Sequence, residues 1–226
     1  VTGLQFWDWI FTRDHPVLPE PWLMQVYLHG AWAVVLSCAV FFGLRVVPWA
    51  RSRTRVRGIL AGGMAVWALL PGAASSAYWL GLAFGAPSVL SVLLCVWWMT
   101  RDPDNSAAGG AHNACLAAAI ALGYVLLLDT LALLPLQCYA FGFSPLALAL
   151  LLAVALAAAL MPHTEPSYSL AWKKSWLGLP ALALCIFAVT RLPTGNVWDV
   201  VLDPILWLVL QGAGVMKLRA AIAIRA

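Results

Sequence analysis

The chain has 226 residues, of which 63% are hydrophobic and only 10% charged, with a formal net charge of +4 and a mean hydropathy of +0.89. Soluble domains carry roughly 25% charged residues, so a conventional water-facing surface is excluded. At about 20 apolar residues per membrane-crossing helix, the length admits six to eight spans and no separate soluble domain.

Continuous apolar runs such as Leu146 to Leu160 lack the alternation of a membrane β-barrel and point to helices. The expected fold class is therefore an all-α integral membrane protein. It has about seven transmembrane helices preceded by an interfacial amphipathic helix, with the N-terminus outside and the C-terminus cytoplasmic. Residues 1–226 are read as one polytopic membrane domain. Residues 1–21 form the interfacial helix and a Pro-rich turn, 22–216 the helix bundle, and 217–226 a basic cytoplasmic tail.

In chain order, Leu4, Trp7 and Phe11 share one helical face and Gln5, Asp8 and Thr12 the other, as in a helix lying in the interface plane. No basic, uninterrupted apolar leader is visible in the first 20 residues, so the first membrane helix is expected to act as its own insertion signal. Pro16, Pro19 and Pro21 end the surface helix, and a first span is expected over 22–47. Arg51, Arg53, Arg55 and Arg57 follow, with Arg45 able to snorkel to the same side. Residues 58–100 are long enough for two helices, 58–82 and 87–100, although Pro71-Gly72 leaves a hairpin or re-entrant geometry open. Further spans are expected over 113–136, from Ser144 to Met161, over 175–192 and over 198–216.

Seven alternating spans place eleven basic residues inside, namely Arg45, Arg51, Arg53, Arg55, Arg57, Arg101, Lys173, Lys174, Lys217, Arg219 and Arg225, against Arg13 and Arg191 outside. That asymmetry is an orientation signal and gives the basic pI near 9.0 a source other than nucleic-acid binding. A bacterial-type inner membrane is the expected location. The tryptophans at 22, 49, 172, 176 and 198 fall at span ends as an aromatic belt would. The five cysteines show no CxxC spacing and are expected to pack as small hydrophobes. The GxxxG spacings at Gly58-Gly62 and Gly81-Gly85 are expected to be packing contacts.

Ionisable groups inside apolar runs are the most informative residues, because each is costly in lipid unless paired, hydrated or neutral. Asp129, Arg191, Asp203 and His29 are all expected in the outer leaflet, with Asp129 about two turns below the end of its span. Together they form a candidate binding pocket in which Arg191 compensates a carboxylate. Each also has a plainer reading. Asp203-Pro204 is a good helix start, Arg191 can snorkel, His29 can bond a backbone carbonyl, and Asp129 can be a neutral structural group.

His112 and His163 come to one level on the inner side if their helices are neighbours, as a haem or metal site requires, but both lie in loop-like contexts. No HExxH, GxSxG or phosphate-binding glycine loop occurs, and the last span has no mid-helix lysine for retinal. No catalytic residue, metal or cofactor is implied. The expected function is a non-enzymatic membrane subunit of a larger inner-membrane assembly, its partners being the lipid bilayer and other membrane subunits and not nucleic acid. A small-solute or ion transporter or channel, and a redox subunit binding haem or quinone, are the alternatives.

Overall fold

The structure is a computed structural model that describes residues 17–100, 110–160 and 170–225, with side chains described for 17–100, 114–160 and 178–223. All regular structure among these residues is helical. The surface helix expected near the N-terminus lies outside them, as do His163 and the side chain of His112.

Helix α1 (Pro21–Gly43) begins with proline at its first position after an extended Glu20, where the missing N–H costs nothing. Its 23 residues extend about 34 Å, enough for a hydrocarbon layer of about 30 Å. It ends at Gly43, earlier than the expected 47. A short α2 (Pro48–Arg51) then leads into α3 (Thr54–Leu69).

The region expected to give two continuous spans instead gives three pieces. Leu70 precedes Pro71 and adopts the extended backbone that proline imposes on its neighbour, which stops α3. After a 3-10 turn, Ser75 caps α4 (Ser76–Phe84). Gly85, at φ 75, turns the chain, and Ser88 caps α5 (Val89–Met99). The 11 residues of α5 extend about 16 Å, half a bilayer core. Both ends of α4 meet the same stretch of α1. The Ser75 hydroxyl is 3.3 Å from His29 Nδ1, Trp32 Nε1 donates to the Gly85 carbonyl (3.0 Å), and the Tyr27 hydroxyl donates to that of Pro87 (2.8 Å). The 75–87 segment therefore lies across α1 and does not run along it.

The remaining helices are α6 (Gly110–Thr130), α7 (Cys138–Phe141), α8 (Pro145–Leu160), α9 (Leu170–Thr190), α10 (Trp198–Val201) and α11 (Pro204–Arg225). Two differ from expectation in ways that move a candidate site residue. Helix α6 stops at Thr130, short of 136, because Ala132 takes φ 55 and the chain folds back, with Leu133 N–H donating to the Leu128 carbonyl and Ala132 N–H to that of Asp129, both at 2.9 Å. The last span is divided at Leu202-Asp203, where the chain is extended before Pro204 restarts the helix.

Packing falls into two clusters. Trp32, Ala33, Ala68 and Ala77 join α1, α3 and α4, while Val89, Ala147, Ala181, Leu184, Phe187 and Val200 join α5, α8, α9 and α10. Alanine dominates both clusters, and such small side chains let helices approach closely. Helix α5 touches both α1 and α9 and ties the clusters to one another.

Helix α11 packs mainly on α6, with Trp207 Nε1 donating to the Ile120 carbonyl (3.1 Å), while Ile205 in its first turn meets the Trp32 cluster. The indole lies so close to Gly123 that a Cβ there would come within 2.2 Å of its nitrogen. The outer surfaces are apolar along their length, with Val189 86% and Leu160 78% exposed, far more contiguous apolar surface than a soluble monomer carries. Pro21–Gly43 and Pro204–Ala223 are long and apolar enough to cross a membrane, and the other apolar stretches with described side chains, Val89–Met99, Ala114–Thr130, Pro145–Leu160 and Gly178–Thr190, are shorter.

Candidate functional site

The two carboxylates of the candidate pocket, Asp129 and Asp203, lie at one end of the bundle together with Asp199. The α6–α8 connector and the α9–α11 connector meet there. These two loops form a polar roof held by hydrogen bonds between them. Asn196, fully buried, donates from Nδ2 to the Tyr139 carbonyl (2.9 Å) and accepts from Trp198 N–H at Oδ1 (3.0 Å). Trp198 Nε1 donates to the Cys138 carbonyl (2.8 Å), and Val197 N–H to that of Gly142 (3.0 Å). The loops touch so closely at Gly142 that a Cβ would stand 2.0 Å from Asn196 Oδ1.

Asp203 is 8% exposed and accepts four hydrogen bonds. Oδ1 takes Ile205 N–H (2.9 Å) and Leu206 N–H (2.8 Å), the capping arrangement its position before Pro204 suggests. Oδ2 takes Ser88 N–H (2.9 Å) and the Ser91 hydroxyl. One carboxylate thus closes the N-termini of two helices, α11 and α5. A negative charge there faces two positive helix ends, with no cation beside it among the described residues. Four donors match the acceptor capacity of a carboxylate, so none remains for a ligand.

Asp129 belongs to the last turn of its helix, α6, which ends one residue later, and does not lie two turns inside it. Oδ2 accepts the Tyr139 N–H (2.7 Å) and so caps the start of α7. Arg191 has φ 59 at the end of α9, and its guanidinium stacks 5.3 Å from the Phe187 ring centroid. No described carboxylate pairs with it. His29 Nδ1 lies 2.8 Å from the Ala68 carbonyl and ties α1 to the end of α3. The four residues proposed from sequence to form one pocket are therefore in four separate settings, and each of them has local backbone or ring partners.

The grouping that sequence reasoning missed is Asp199 with Tyr139 and Thr194, whose hydroxyls both donate to Asp199 Oδ2. Burial pushes the Asp199 carboxyl above the usual aspartate range. The Thr194 and Tyr139 hydrogen bonds oppose that rise, and the charge of Asp203 adds to it. Burial, followed by the Asp199 charge, likewise raises the Tyr139 phenol. Nothing in the sequence around Asp199 shows that residue 139, 60 positions earlier, folds against it. Ser88 and Ser91, by contrast, carry a readable signal, a hydroxyl pair three apart just after Pro87 and before an apolar run.

A groove of about 310 Å³ opens beside the roof, lined by Leu122, Leu126, Leu136, Gln137, Phe141 and Trp198 among others, and its walls are almost wholly apolar. No group of three or more potential metal-ligating side chains occurs among the described residues. Comparison with family models, curated proteins and solved structures finds no match for the chain.

Proposed function

We propose that the chain is a non-enzymatic, multi-pass subunit of a larger assembly in a bacterial-type inner membrane, with its N-terminus outside and its C-terminus cytoplasmic. The observation that supports this best is the state of its polar groups. Asp203 is saturated by four donors, and Asp129 and Asp199 are engaged by backbone or hydroxyl groups of the chain itself. The polar groups hold helix ends in place, and the surfaces left over are apolar, suited to lipid and to other membrane helices. The α3–α5 hairpin begins and ends on one side however deeply it enters, so the proposed orientation does not depend on whether it completes two spans.

A transporter or channel remains the second reading, favoured by the broken α3–α4–α5 segment, since half-helices that start inside the bilayer build many transport sites. Against it, the start of α5 is already occupied by Asp203. Gentle purification in detergent discriminates the two. Stoichiometric partner chains are expected to co-purify, and a stable monomer or homo-oligomer that moves a solute across vesicles would overturn the subunit reading. An absorption spectrum of the same sample tests for haem, the redox alternative.

A further inference from the structure

At the end of α1 opposite the roof, the chain turns through α2 into α3, and the charge balance of this elbow is left open. Arg57, in the first turn of α3, is only 6% exposed. Nη2 donates to the Thr54 hydroxyl (3.1 Å), while the buried Nε and Nη1 have no hydrogen-bond partner. The guanidinium face is stacked 4.9 Å from the Phe41 centroid, but stacking engages the face and leaves the in-plane donors unsatisfied. Arg45 approaches the same ring at 5.8 Å and Phe42 at 4.5 Å, which brings a second cation to the cluster.

The N-terminus of α3 is independently unsatisfied. Its N-cap position is Arg53, no side chain caps it, and its first turn holds no acidic residue. Basic side chains stand on the positive end of a 16-residue helix, the reverse of the favourable placement. The acidic residues among those described, Glu20, Asp129, Asp199 and Asp203, all belong to the far end of the bundle.

We infer that this elbow binds a phosphate-bearing anion, with Arg57 and Arg45 and the free N–H groups of α3 as its donors. A planar guanidinium fork beside an open helix start matches phosphate oxygens in both geometry and charge. Next to a membrane surface the natural source is an anionic lipid headgroup, and a free phosphate offers the same chemistry. The lipid source rests on the membrane reading above, whereas the anion site does not. Nε and Nη1 are closed off as the helices stand, so entry requires the segment between Gly43 and Thr54 to part from α3.

The test is thermal unfolding of the full chain in mixed micelles, titrated with phosphatidylglycerol, with phosphatidylcholine, or with inorganic phosphate at matched ionic strength. Phosphatidylglycerol is expected to raise Tm saturably and phosphatidylcholine to leave it unchanged. Loss of the forked contact in R57Q should move half-saturation by about tenfold. R57K keeps the charge but not the fork, so it should show the same weakening even if R57Q folds poorly. R219Q, an exposed tail position, should respond as the wild type does. Inorganic phosphate reproducing the shift would support the site with a free anion as its source. A wild type that responds to neither anion, or R57Q and R57K responding as the wild type does, overturns the site. Alkaline carbonate extraction that releases the chain from membranes would instead overturn the membrane reading and leave the phosphate titration as the measure of the site.

Discussion

At the roof, Asp129, Asp199 and Asp203 are each met by donors from the chain's own backbone and hydroxyls. At the elbow, the guanidinium of Arg57 is just as enclosed and keeps two donor atoms without partners. The contrast follows from what each end can supply. Helix starts and connecting loops are rich in free N–H groups, so an acid placed there is satisfied locally, as Asp203 is by two helix ends at once. A basic side chain needs carbonyl or carboxylate acceptors, and a helix N-terminus offers only more donors. Charge at the roof therefore organises the fold, and charge at the elbow meets no acidic side chain among the described residues.

The comparison can be broken first at its strongest point. Asp203→Ala would leave the Ser88 and Ile205 and Leu206 N–H groups and the Ser91 hydroxyl without their acceptor, and should lower stability by on the order of 3 kcal/mol. Asp129→Ala removes the acceptor of one N–H at a half-buried site and should cost about 1 kcal/mol. Equal losses in thermal unfolding would mean that the junction of α5 and α11 is not the centre of the roof. A smaller effect of opposite sign is expected at Arg191, whose φ of 59 is strained for a residue with a Cβ. Arg191→Gly should hold or raise Tm by an amount equivalent to at most about 1 kcal/mol. A clear fall would reveal a carboxylate partner and revive the pocket inferred from sequence.

The helical class and most helix starts were legible in the sequence, because they depend on local chemistry. Pro21, Ser88 and Asp203-Pro204 each mark a helix start within a few residues. Helix ends were less legible. Apolarity continues through Leu131, Leu133 and Leu136, yet α6 stops at Thr130, since the positive φ at Ala132 carries no glycine to announce it. That early stop is what places Asp129 at a loop junction and not two turns inside its helix. The Pro71-Gly72 break was visible, but not that α4 would lie across α1, because that depends on His29, Trp32 and Tyr27 meeting residues 39 to 60 positions away. The four candidate pocket residues have separate partners for the same reason. They were readable as important from their apolar contexts, whereas their partners, several of them backbone atoms of distant segments, were not.

The smallest expected effect concerns Asp199 and separates charge that is used from charge that is tolerated. Its carboxyl is raised above the ordinary aspartate range by burial, with the Thr194 and Tyr139 hydroxyls pulling the other way. A raised folded-state value means that the native protein holds this proton more tightly than the unfolded chain. The contribution of Asp199 to stability is therefore fully present below the ordinary aspartate value, about 3.9, and is lost as pH rises through its folded value. Above its folded value the ionised group is a burden that its two hydroxyl donors only partly relieve. Asp199→Asn cannot ionise, and its amide oxygen can still accept from Tyr139 and Thr194. The variant should melt at or slightly above the wild type at pH 7, and the difference should shrink toward zero as the pH approaches 4. A variant that melts well below the wild type at pH 7 would show that the negative charge of Asp199 is needed, which would make the Asp199–Tyr139–Thr194 group, and not Asp203, the place to look for a cation.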